Sequence, residues 1–357
     1  MSCKIKEYAE ELQATAKALA SEGKGILAVD ESTPTCGKRL ADIGVENTEE
    51  NRQAYRGMLF TTPGLGSFIS GAILFEETLY QKHADGESMV EKLNKQGIIP
   101  GIKVDKGLKP LIGALHHETY CSGIDGLTDR AKEYYAAGAR FAKWRAVLQI
   151  SSDGGPSNLA IKENAWGLAR YARAVQEAGL VPIVEPEILM DGDHPIGKTA
   201  AIQEMVIKEV YYACIENGVY LEGTLLKPSM TVPGADCPDQ SNPKEVAEYT
   251  IRTLERTVPS AVAGITFLSG GLSEEAASVY LNEMNNIDRK AKWNVSFSYG
   301  RALQHSCLRA WGGSDIDAGQ KALIARAQAN SEAAKGQYVP NSQPSSDEKL
   351  FVAGYTY

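Results

Sequence analysis

The sequence predicts an α/β protein folded as a single (β/α)8 TIM barrel, with an N-terminal helix and a flexible C-terminal tail. Eight short apolar runs rich in β-forming residues alternate with longer segments of helical period. Such alternation requires parallel strands joined by right-handed crossovers, and eight evenly spaced units favour closure into a barrel over an open doubly wound sheet. The predicted strands are residues 25–30, 67–75, 98–105, 141–148, 180–189, 220–228, 264–271 and 294–300.

The segments between these runs have the pattern of amphipathic helices. In residues 157–178, apolar side chains recur every three or four positions, which places them on one face of a helix. Residues 197–217, 243–257 and 273–291 have a similar pattern, and a further helix at 5–21 precedes the first strand. Each of these helices is expected to pack its apolar face on the barrel.

The last part of the chain differs from the barrel. After a helical stretch at 314–335, residues 336–349 are polar and irregular and include Pro340 and Pro344. No internal repeat or long linker divides the chain before that point. We therefore expect one barrel domain over residues 1–335, followed by a mobile tail over residues 336–357.

The composition excludes several classes of protein. The 357 residues include 37 Lys+Arg and 45 Asp+Glu, a net charge of −8, whereas nucleic-acid-binding proteins normally show a basic excess. No apolar run reaches the ~18–20 residues of a membrane helix. The N-terminus lacks the pattern of a signal or transit peptide, so we expect a cytosolic location. Six widely spaced cysteines without a C-x-x-C pair indicate reduced thiols.

Charged residues occupy strand positions that should be apolar. Side chains two apart on a strand share a face, so Lys143 and Arg145 point the same way, as do Glu185 and Glu187. One interpretation is that these groups face outward in salt bridges. Because several successive strands carry such groups, and buried charge is costly unless paired or used, we expect them near the barrel axis at the carboxyl ends. The set also includes Asp30, Lys103, Asp105 and Lys227.

A proline separates the two glutamates. Pro186 lacks the N–H that an interior strand position donates, so we expect a bulge at this point. The bend either only redirects the strand or aims Glu185 and Glu187 into the mouth of the barrel, and we favour the second interpretation.

A lysine among cations and carboxylates suggests covalent amine chemistry. A free lysine has a pKa of ~10.4, and burial or a neighbouring cation lowers that pKa toward an amine that attacks carbonyls. Lys143 is a candidate for that cation and Lys227 for the nucleophile, with Glu187 as the acid that expels water. The spacing alone equally allows Lys103 or Lys143 as the nucleophile.

Two glycine-containing turns are typical of phosphate binding. Residues 269–271 end the seventh predicted strand and lead into a helix opened by Glu274 and Glu275, and residues 298–301 end the eighth strand with Arg301. Glycines let backbone N–H groups approach a phosphate, and barrels frequently bind phosphate at these two loops. A second cationic group is predicted to bind another phosphate, although its first two members equally suit a solvated loop. It comprises Lys38, Arg39, Lys103 and Arg145.

The five histidines do not suggest a metal centre. His116 and His117 are adjacent, and neighbouring residues on a regular element cannot face one ligand position together. The sequence has no H-E-x-x-H motif. We therefore expect no metal and no other cofactor.

Six long runs show a family resemblance. Over its whole length the chain resembles class I fructose-bisphosphate aldolase, and it is most similar to the cytosolic form of plants. The runs that carry the resemblance are GILAVDEST, FAKWRAVL, IVEPEIL, GTLLKPSM, TFLSGGLSEE and SYGRALQ, in the order of the family. The resemblance implies a (β/α)8 barrel, a metal-free homotetramer, and reversible cleavage of fructose 1,6-bisphosphate in glycolysis and gluconeogenesis.

The resemblance also implies roles for the charged residues. Lys227 would form a Schiff base with the ketose carbonyl. Glu187 would be the acid and base of imine formation, assisted by Lys143 and Glu185. Asp30 would take the proton of the C4 hydroxyl.

The remaining roles concern the substrate's phosphates and the tail. The tail would reach over the active site, where the terminal Tyr357 would move the proton at C3. One phosphate would be bound by Ser269, Gly270, Gly271, Gly300 and Arg301. Residues near the other end of the substrate would be Ser32, Arg39, Lys103 and Arg145.

Two alternatives to this function are considered. A metal-dependent phosphosugar enzyme on the same fold would need clustered histidine ligands. A non-catalytic scaffold that binds the cytoskeleton would need a surface that nothing in the sequence specifies, although family members can combine such binding with catalysis.

Overall fold

The protein is a closed barrel of eight parallel strands surrounded by helices, which confirms the predicted fold class. The computed structural model describes residues 3–354, with side chains from residue 5 onward. Around the barrel the strands follow the order β1-β2-β3-β6-β7-β8-β9-β10 before closing on β1. These strands are β1 Gly25–Val29, β2 Ile69–Leu74, β3 Ile99–Lys103, β6 Phe141–Leu148, β7 Val181–Ile188, β8 Leu225–Leu226, β9 Gly264–Phe267 and β10 Asn294–Tyr299.

The eight predicted strands are all present, but the sixth is much shorter than expected. The pattern predicts residues 220–228, whereas Leu221–Gly223 form a 3-10 turn and only Leu225–Leu226 pair as β8. A hairpin that the sequence did not predict follows β3. Its strands are β4 Leu108–Pro110, with two exposed residues, and β5 Thr119–Cys121, with two partly buried ones. Both are only three residues long, so they lack the apolar run that identifies a barrel strand.

The helices cover the outside of the barrel. The five helices predicted between and before the strands are present within a few residues, as is the last one. Several shorter helices were not predicted; among them, residues 33–41 form a helix with Pro34 in its first turn, so Lys38 and Arg39 are not in a loop. The helices are α1 Cys3–Leu19, α2 Thr33–Ala41, α3 Glu49–Phe60, α4 Glu76–Tyr80, α5 Met89–Lys95, α6 Leu127–Ala136, α7 Asn158–Gln176, α8 Ile196–Glu216, α9 Pro243–Thr257, α10 Glu274–Asn286, α11 Arg301–Trp311 and α12 Ile316–Ala334.

The predicted bulge at Pro186 is wrong. Ala146 lies opposite Pro186, and the pairing of β6 with β7 runs in register from Phe141 to Leu148 without a shift. The other side of β7 explains why the proline is tolerated. The carbonyl of Val184 accepts from Lys227 N, directly after the end of β8. Pro186 lies two residues further along β7, beyond the pairing with β8, so no hydrogen bond is lost there by its missing N–H.

Residues 336–354 contain no helix or strand. None of the helices in residues 3–354 combines the length and apolarity needed to span a bilayer. The five cysteines with described side chains are free and buried.

Helix α1 closes the amino end of the barrel. Its apolar face carries Ile5, Leu12 and Leu19, which are fully buried and pack in one cluster with strand residues such as Ile26 and Phe141. These strand side chains point into the barrel at its base. The carboxyl end therefore remains the open end, where charged side chains can meet a ligand.

We predict that Leu12→Ala lowers the free energy of unfolding by about 2–5 kcal/mol, because it removes buried methyl groups and leaves a cavity. Urea unfolding would measure the change. The matched control is Leu159→Ala, at a position that is 45% exposed, where a change within about 1 kcal/mol is expected. Equal effects of the two substitutions would contradict the role of α1.

Candidate active site

Strand register brings the charged residues of four strands together. Lys103 lies opposite Lys143 across β3 and β6, and Arg145 lies opposite Glu185 across β6 and β7. Lys227 directly follows β8, and its backbone N–H donates to the carbonyl of Val184, 2.8 Å away. Lys227 is thereby placed beside Glu185. The expected meeting of these groups at the carboxyl end of the barrel is therefore observed.

Asp30, Lys143, Glu185 and Lys227 form a buried lysine–carboxylate network. Lys143 Nζ lies 2.6 Å from Asp30 Oδ2 and 3.6 Å from Glu185 Oε2. Glu185 Oε1 lies 3.4 Å from Lys227 Nζ, so one carboxylate bridges two ammonium groups. All four residues are at most 4% exposed. Two positive and two negative charges balance each other, which buried ions require.

The network keeps Asp30 ionised. Burial by itself raises the pKa of this carboxyl, but Lys143 and then Lys227 oppose that effect, and the pKa of Asp30 lies below its usual value. The ionised carboxylate is the form of an aspartate that can accept a proton. Asp30 is thus suited to receive a proton from a substrate that enters the network.

We predict that Asp30→Asn lowers the free energy of unfolding by about 3–5 kcal/mol at neutral pH, because Lys143 would lose its nearest counter-ion. The folded pKa lies below the unfolded value of ~3.9, so ionised Asp30 stabilises the fold fully above that pH. This contribution is lost as the pH falls through the lower folded pKa.

Urea unfolding at pH 7 and below pH 4 tests the prediction, since the difference between the wild type and Asp30→Asn should shrink in acid. Asp129, whose side chain is 82% exposed, provides the control substitution Asp129→Asn, with little effect expected at either pH. A difference that does not depend on pH would contradict the assignment.

Two further ion pairs flank the network. Arg145 Nε lies 2.5 Å from Glu187 Oε2, and Lys103 Nζ lies 2.5 Å from Asp105 Oδ1. The guanidinium fixes the position of Glu187 at the rim. Lys103 also donates to the backbone carbonyl of Asp105, 2.9 Å away, so in this structure its ammonium group is held at the end of its own strand.

The two glycine turns lie at the ends of β9 and β10, as predicted. Gly270 and Gly271 have φ angles of +59° and +94°, which only glycine adopts readily. The N–H of Leu350 donates to the carbonyl of Gly271, 3.0 Å away. Arg301, the first residue of α11, donates to the carbonyl of Leu350. The C-terminal segment thus lies directly on the first turn.

A cavity at this end of the barrel joins the network to the turns. Most of the predicted site residues line it, whereas Ser32, Lys103, Lys143 and Gly271 do not. Ser32 precedes α2, where its Oγ lies 3.1 Å from Thr35 Oγ1. Tyr357 lies outside the described residues. The site residues that line the cavity are Asp30, Arg39, Arg145, Glu185, Glu187, Lys227, Ser269, Gly270, Gly300 and Arg301.

Sequence reasoning missed Glu31. This buried residue lines the cavity and forms an ion pair with Arg39, and its backbone carbonyl accepts from Arg56 Nη2, 2.6 Å away. Glu31 therefore fixes the position of Arg39 at the mouth. Its place directly after Asp30 at the end of the first strand was the available signal.

The histidine argument was incomplete. His116 and His117 lie in a turn rather than on a regular element, and their ligand atoms lie within 4.8 Å of each other and of an Asp153 oxygen. These three residues could hold a metal ion. They belong neither to the lysine–carboxylate network nor to the cavity lining.

A (β/α)8 barrel with a buried lysine among carboxylates, beside two glycine turns and an arginine, is an arrangement suited to an enzyme of phosphorylated sugars. The profile of the fructose-bisphosphate aldolase class-I family matches residues 11–357. The chain belongs to the class I fructose-bisphosphate aldolase family. It is therefore an aldolase, a carbon–carbon lyase.

Individual relatives agree over nearly the full chain. Chloroplastic fructose-bisphosphate aldolase 3 of Arabidopsis thaliana is 57% identical over 353 residues, which are 98% of this chain and 89% of that protein. The fructose-bisphosphate aldolase of Plasmodium falciparum, solved in complex with TRAP and a small-molecule inhibitor, is 53% identical with a TM-score of 0.92. That match covers 93% of this chain and 96% of the solved chain.

The comparisons contradict the expected cytosolic location. Cytosolic aldolase 4 of Arabidopsis thaliana is 55% identical, over 97% of this chain and 89% of its own length, which is slightly less than the chloroplastic protein. The expected greater similarity to the plant cytosolic form is therefore not supported. Identities this close do not assign a compartment.

Proposed function

We propose that this chain reversibly cleaves fructose 1,6-bisphosphate into dihydroxyacetone phosphate and glyceraldehyde 3-phosphate through a Schiff base on Lys227, as a step of glycolysis and gluconeogenesis. The observation that carries the proposal is the position of Lys227. Its buried amino group lies 3.4 Å from Glu185 and lines the same cavity as Glu187, Ser269 and Arg301. A carbonyl between two bound phosphates would be presented to this amine.

The structure supports Lys227 over the other two lysines as the nucleophile. Lys143 is fully buried, lies 2.6 Å from Asp30 and does not line the cavity. Lys103 is paired with Asp105 and also lies outside the cavity lining. Lys227 alone of the three reaches the space that a substrate would occupy.

The proposed reaction uses the network in sequence. Neutral Lys227 adds to the C2 carbonyl, and Glu187 protonates the departing hydroxyl of the carbinolamine, which leaves as water. The resulting iminium ion accepts the electron pair of the C3–C4 bond, while Asp30 takes the proton of the C4 hydroxyl. Glyceraldehyde 3-phosphate leaves, and an enamine remains on Lys227.

The second half of the reaction returns the enzyme to its starting state. A proton is added at C3 of the enamine, the step that we assign to Tyr357, and the proton that Asp30 took up passes through solvent to re-form the Tyr357 hydroxyl. Water, activated by Glu187, then hydrolyses the imine and releases dihydroxyacetone phosphate. Lys143 and Glu185 assist throughout, since Lys143 contacts both Asp30 and Glu185 and couples the two carboxylates through charge.

Phosphate binding at both ends of the substrate would fix the reacting bond beside Lys227. We assign one phosphate to residues 269–271 with Gly300 and Arg301, where two positive-φ glycines open the backbone. We assign the other to Arg39 and Arg145, both at the cavity. Ser32 and Lys103 lie outside the cavity lining, so their contribution requires their side chains to turn toward the substrate.

The tail is proposed to be a moving part of the site. Residues 348–354 line a cavity of about 590 Å³ together with Arg39 and Arg301. The N–H of Gly354 donates to Asp191 Oδ1, 2.6 Å away, so the described tail crosses the mouth from Leu350 to the loop after β7. This path would bring the terminal residues toward the substrate, and release of the same contacts would let products leave.

We also propose a homotetramer. Large apolar side chains are exposed on two adjacent outer helices, namely Trp166 on α7 and Met205, Tyr212 and Ile215 on α8. Exposed apolar residues grouped in this way favour contact with another subunit. Cytoskeletal binding stays a prediction of the sequence analysis.

We predict that borohydride reduction in the presence of dihydroxyacetone phosphate attaches the triose to Lys227, because reduction converts a Schiff base into a stable secondary amine. Peptide mass spectrometry would locate the label. Lys227→Arg should abolish it, whereas Lys244→Arg, at an exposed position on α9, should leave it unchanged. A label on Lys103 or Lys143 would overturn the assignment.

We predict that Arg301→Ala weakens substrate binding by ~1.5–3 kcal/mol, the contribution of a charge-assisted hydrogen bond to phosphate. Steady-state kinetics would show the loss as a raised KM. Arg252→Ala removes an exposed guanidinium that stacks on Tyr249, and it should leave the kinetics unchanged. Identical kinetics for both variants would remove Arg301 from the phosphate site.

A further inference from the structure

Glu274 and Glu275, at the start of α10, form a carboxylate clamp on the C-terminal segment. Glu274 is fully buried and Glu275 is 7% exposed. Glu274 accepts from the backbone N–H of Ser306 and from that of Ser346, both 2.9 Å away. It therefore connects α11 and the C-terminal segment to the helix that follows the first phosphate turn.

Glu275 binds the same segment at three points. It accepts from the Tyr338 hydroxyl at 2.7 Å, from Asn341 N at 2.8 Å and from the Ser345 hydroxyl at 3.1 Å. Burial and the hydrogen bond to Glu275 raise the pKa of Tyr338 to about 12, so its hydroxyl still donates at neutral pH. The C-terminal segment thus supplies most of the donors to this carboxylate.

The clamp is sensitive to added negative charge. Within residues 5–354, neither Glu274 nor Glu275 forms an ion pair with a lysine or arginine. The nearby Arg326 donates to the backbone carbonyls of Glu274 at 2.8 Å and of Pro344 at 3.3 Å, and to the Ser278 hydroxyl at 2.6 Å. The hydrogen bonds that the two carboxylates accept thus come from neutral donors, and a second anion 3.1 Å from Glu275 would be repelled by its charge.

We propose that Ser345 is a phosphorylation site, and that a phosphoryl group there releases the C-terminal segment from the carboxylate clamp. The Ser345 hydroxyl oxygen lies 3.1 Å from Glu275 Oε2, so its phosphate would stand against a buried carboxylate. Ser345 is half-buried in a segment without helix or strand. Ser346 is also half-buried, and residues 347–349 are exposed. Asp347 and Glu348 follow closely and suit a kinase with a basic substrate groove.

The modification balances with one co-reactant, a nucleoside triphosphate supplied with a protein kinase. The Ser345 hydroxyl oxygen forms a bond to the γ-phosphorus, the bond to the bridging oxygen breaks, and a nucleoside diphosphate leaves. The hydroxyl proton passes to the kinase's base. Since the hydroxyl is bound in the docked segment, the kinase acts on the transiently released form, and the phosphate then prevents its return.

Release would reach the phosphate turn. Leu350, five residues after Ser345, donates to the Gly271 carbonyl and accepts from Arg301. If the segment were detached at Ser345, Leu350 would no longer be held in position to make these two hydrogen bonds. The effect on turnover rests on the proposed function of the tail, whereas the effect on docking does not.

The test compares Ser345→Glu with Ser342→Glu, which places the same charge at an exposed position three residues earlier. Tryptic cleavage after Lys349 reports release of the segment and is followed by mass spectrometry of the 350–357 peptide. We expect Ser345→Glu to accelerate this cleavage at least about tenfold and Ser342→Glu less than about twofold. Thermal unfolding midpoints confirm that both variants fold.

A second comparison, in the Glu275→Gln variant, tests whether repulsion from the Glu275 carboxylate causes the release. In Glu275→Gln the carboxylate charge is gone, so adding Ser345→Glu should accelerate cleavage much less than it does in the wild type. Equal acceleration in both backgrounds, or equal effects of the two serine variants, would overturn the proposal. Released segment with unchanged turnover would support the clamp and contradict the tail's role in the proposed function.

The acceptor itself is tested with the wild-type protein. It is incubated with Mg-ATP and a serine kinase that prefers acidic residues after its target, and the modified peptide is sequenced by mass spectrometry. Phosphate on Ser345, with faster cleavage after Lys349, supports the proposal. Phosphate only on other residues would overturn it.

Discussion

The bridging contact of Glu185 with Lys143 and Lys227 is the interaction on which the site depends. A buried lysine can act as a nucleophile only if the protein accommodates both its charged and its neutral form. Glu185 meets both ammonium groups within 3.6 Å, so the loss of one proton leaves the other pair intact. The fold can therefore bury four ionisable groups without leaving any of them unpaired.

This contact exists only because the barrel is closed and in register. Lys143 and Lys227 are more than 80 residues apart in the chain, and they meet at Glu185 because β7 lies between β6 and the short β8. Parallel strands place all their carboxyl ends on one face, where α1 does not reach. The shortness of β8 matters as well, since it lets Lys227 leave the ladder and turn toward the cavity.

Much of this arrangement could be predicted from the sequence, because a charged residue in an apolar strand is a strong local signal. Lys143, Glu185 and Lys227 could be placed at one end of the barrel by strand periodicity alone. The sequence could not show which lysine faces the cavity, since that depends on the contact between Lys143 and Asp30 across the barrel. The bulge predicted at Pro186 was wrong for a similar reason, because the sequence of β7 does not show where the neighbouring strand β8 ends.

The hydrogen bond from Arg301 to the Leu350 carbonyl has a consequence for ligand exchange. In the function that we propose, the Arg301 guanidinium would bind a substrate phosphate, and in this structure it already donates to an acceptor of the same chain. An arriving phosphate and this backbone oxygen would then compete for the same donors. Return of the carbonyl to Arg301 would favour departure of a product once its phosphate leaves the guanidinium.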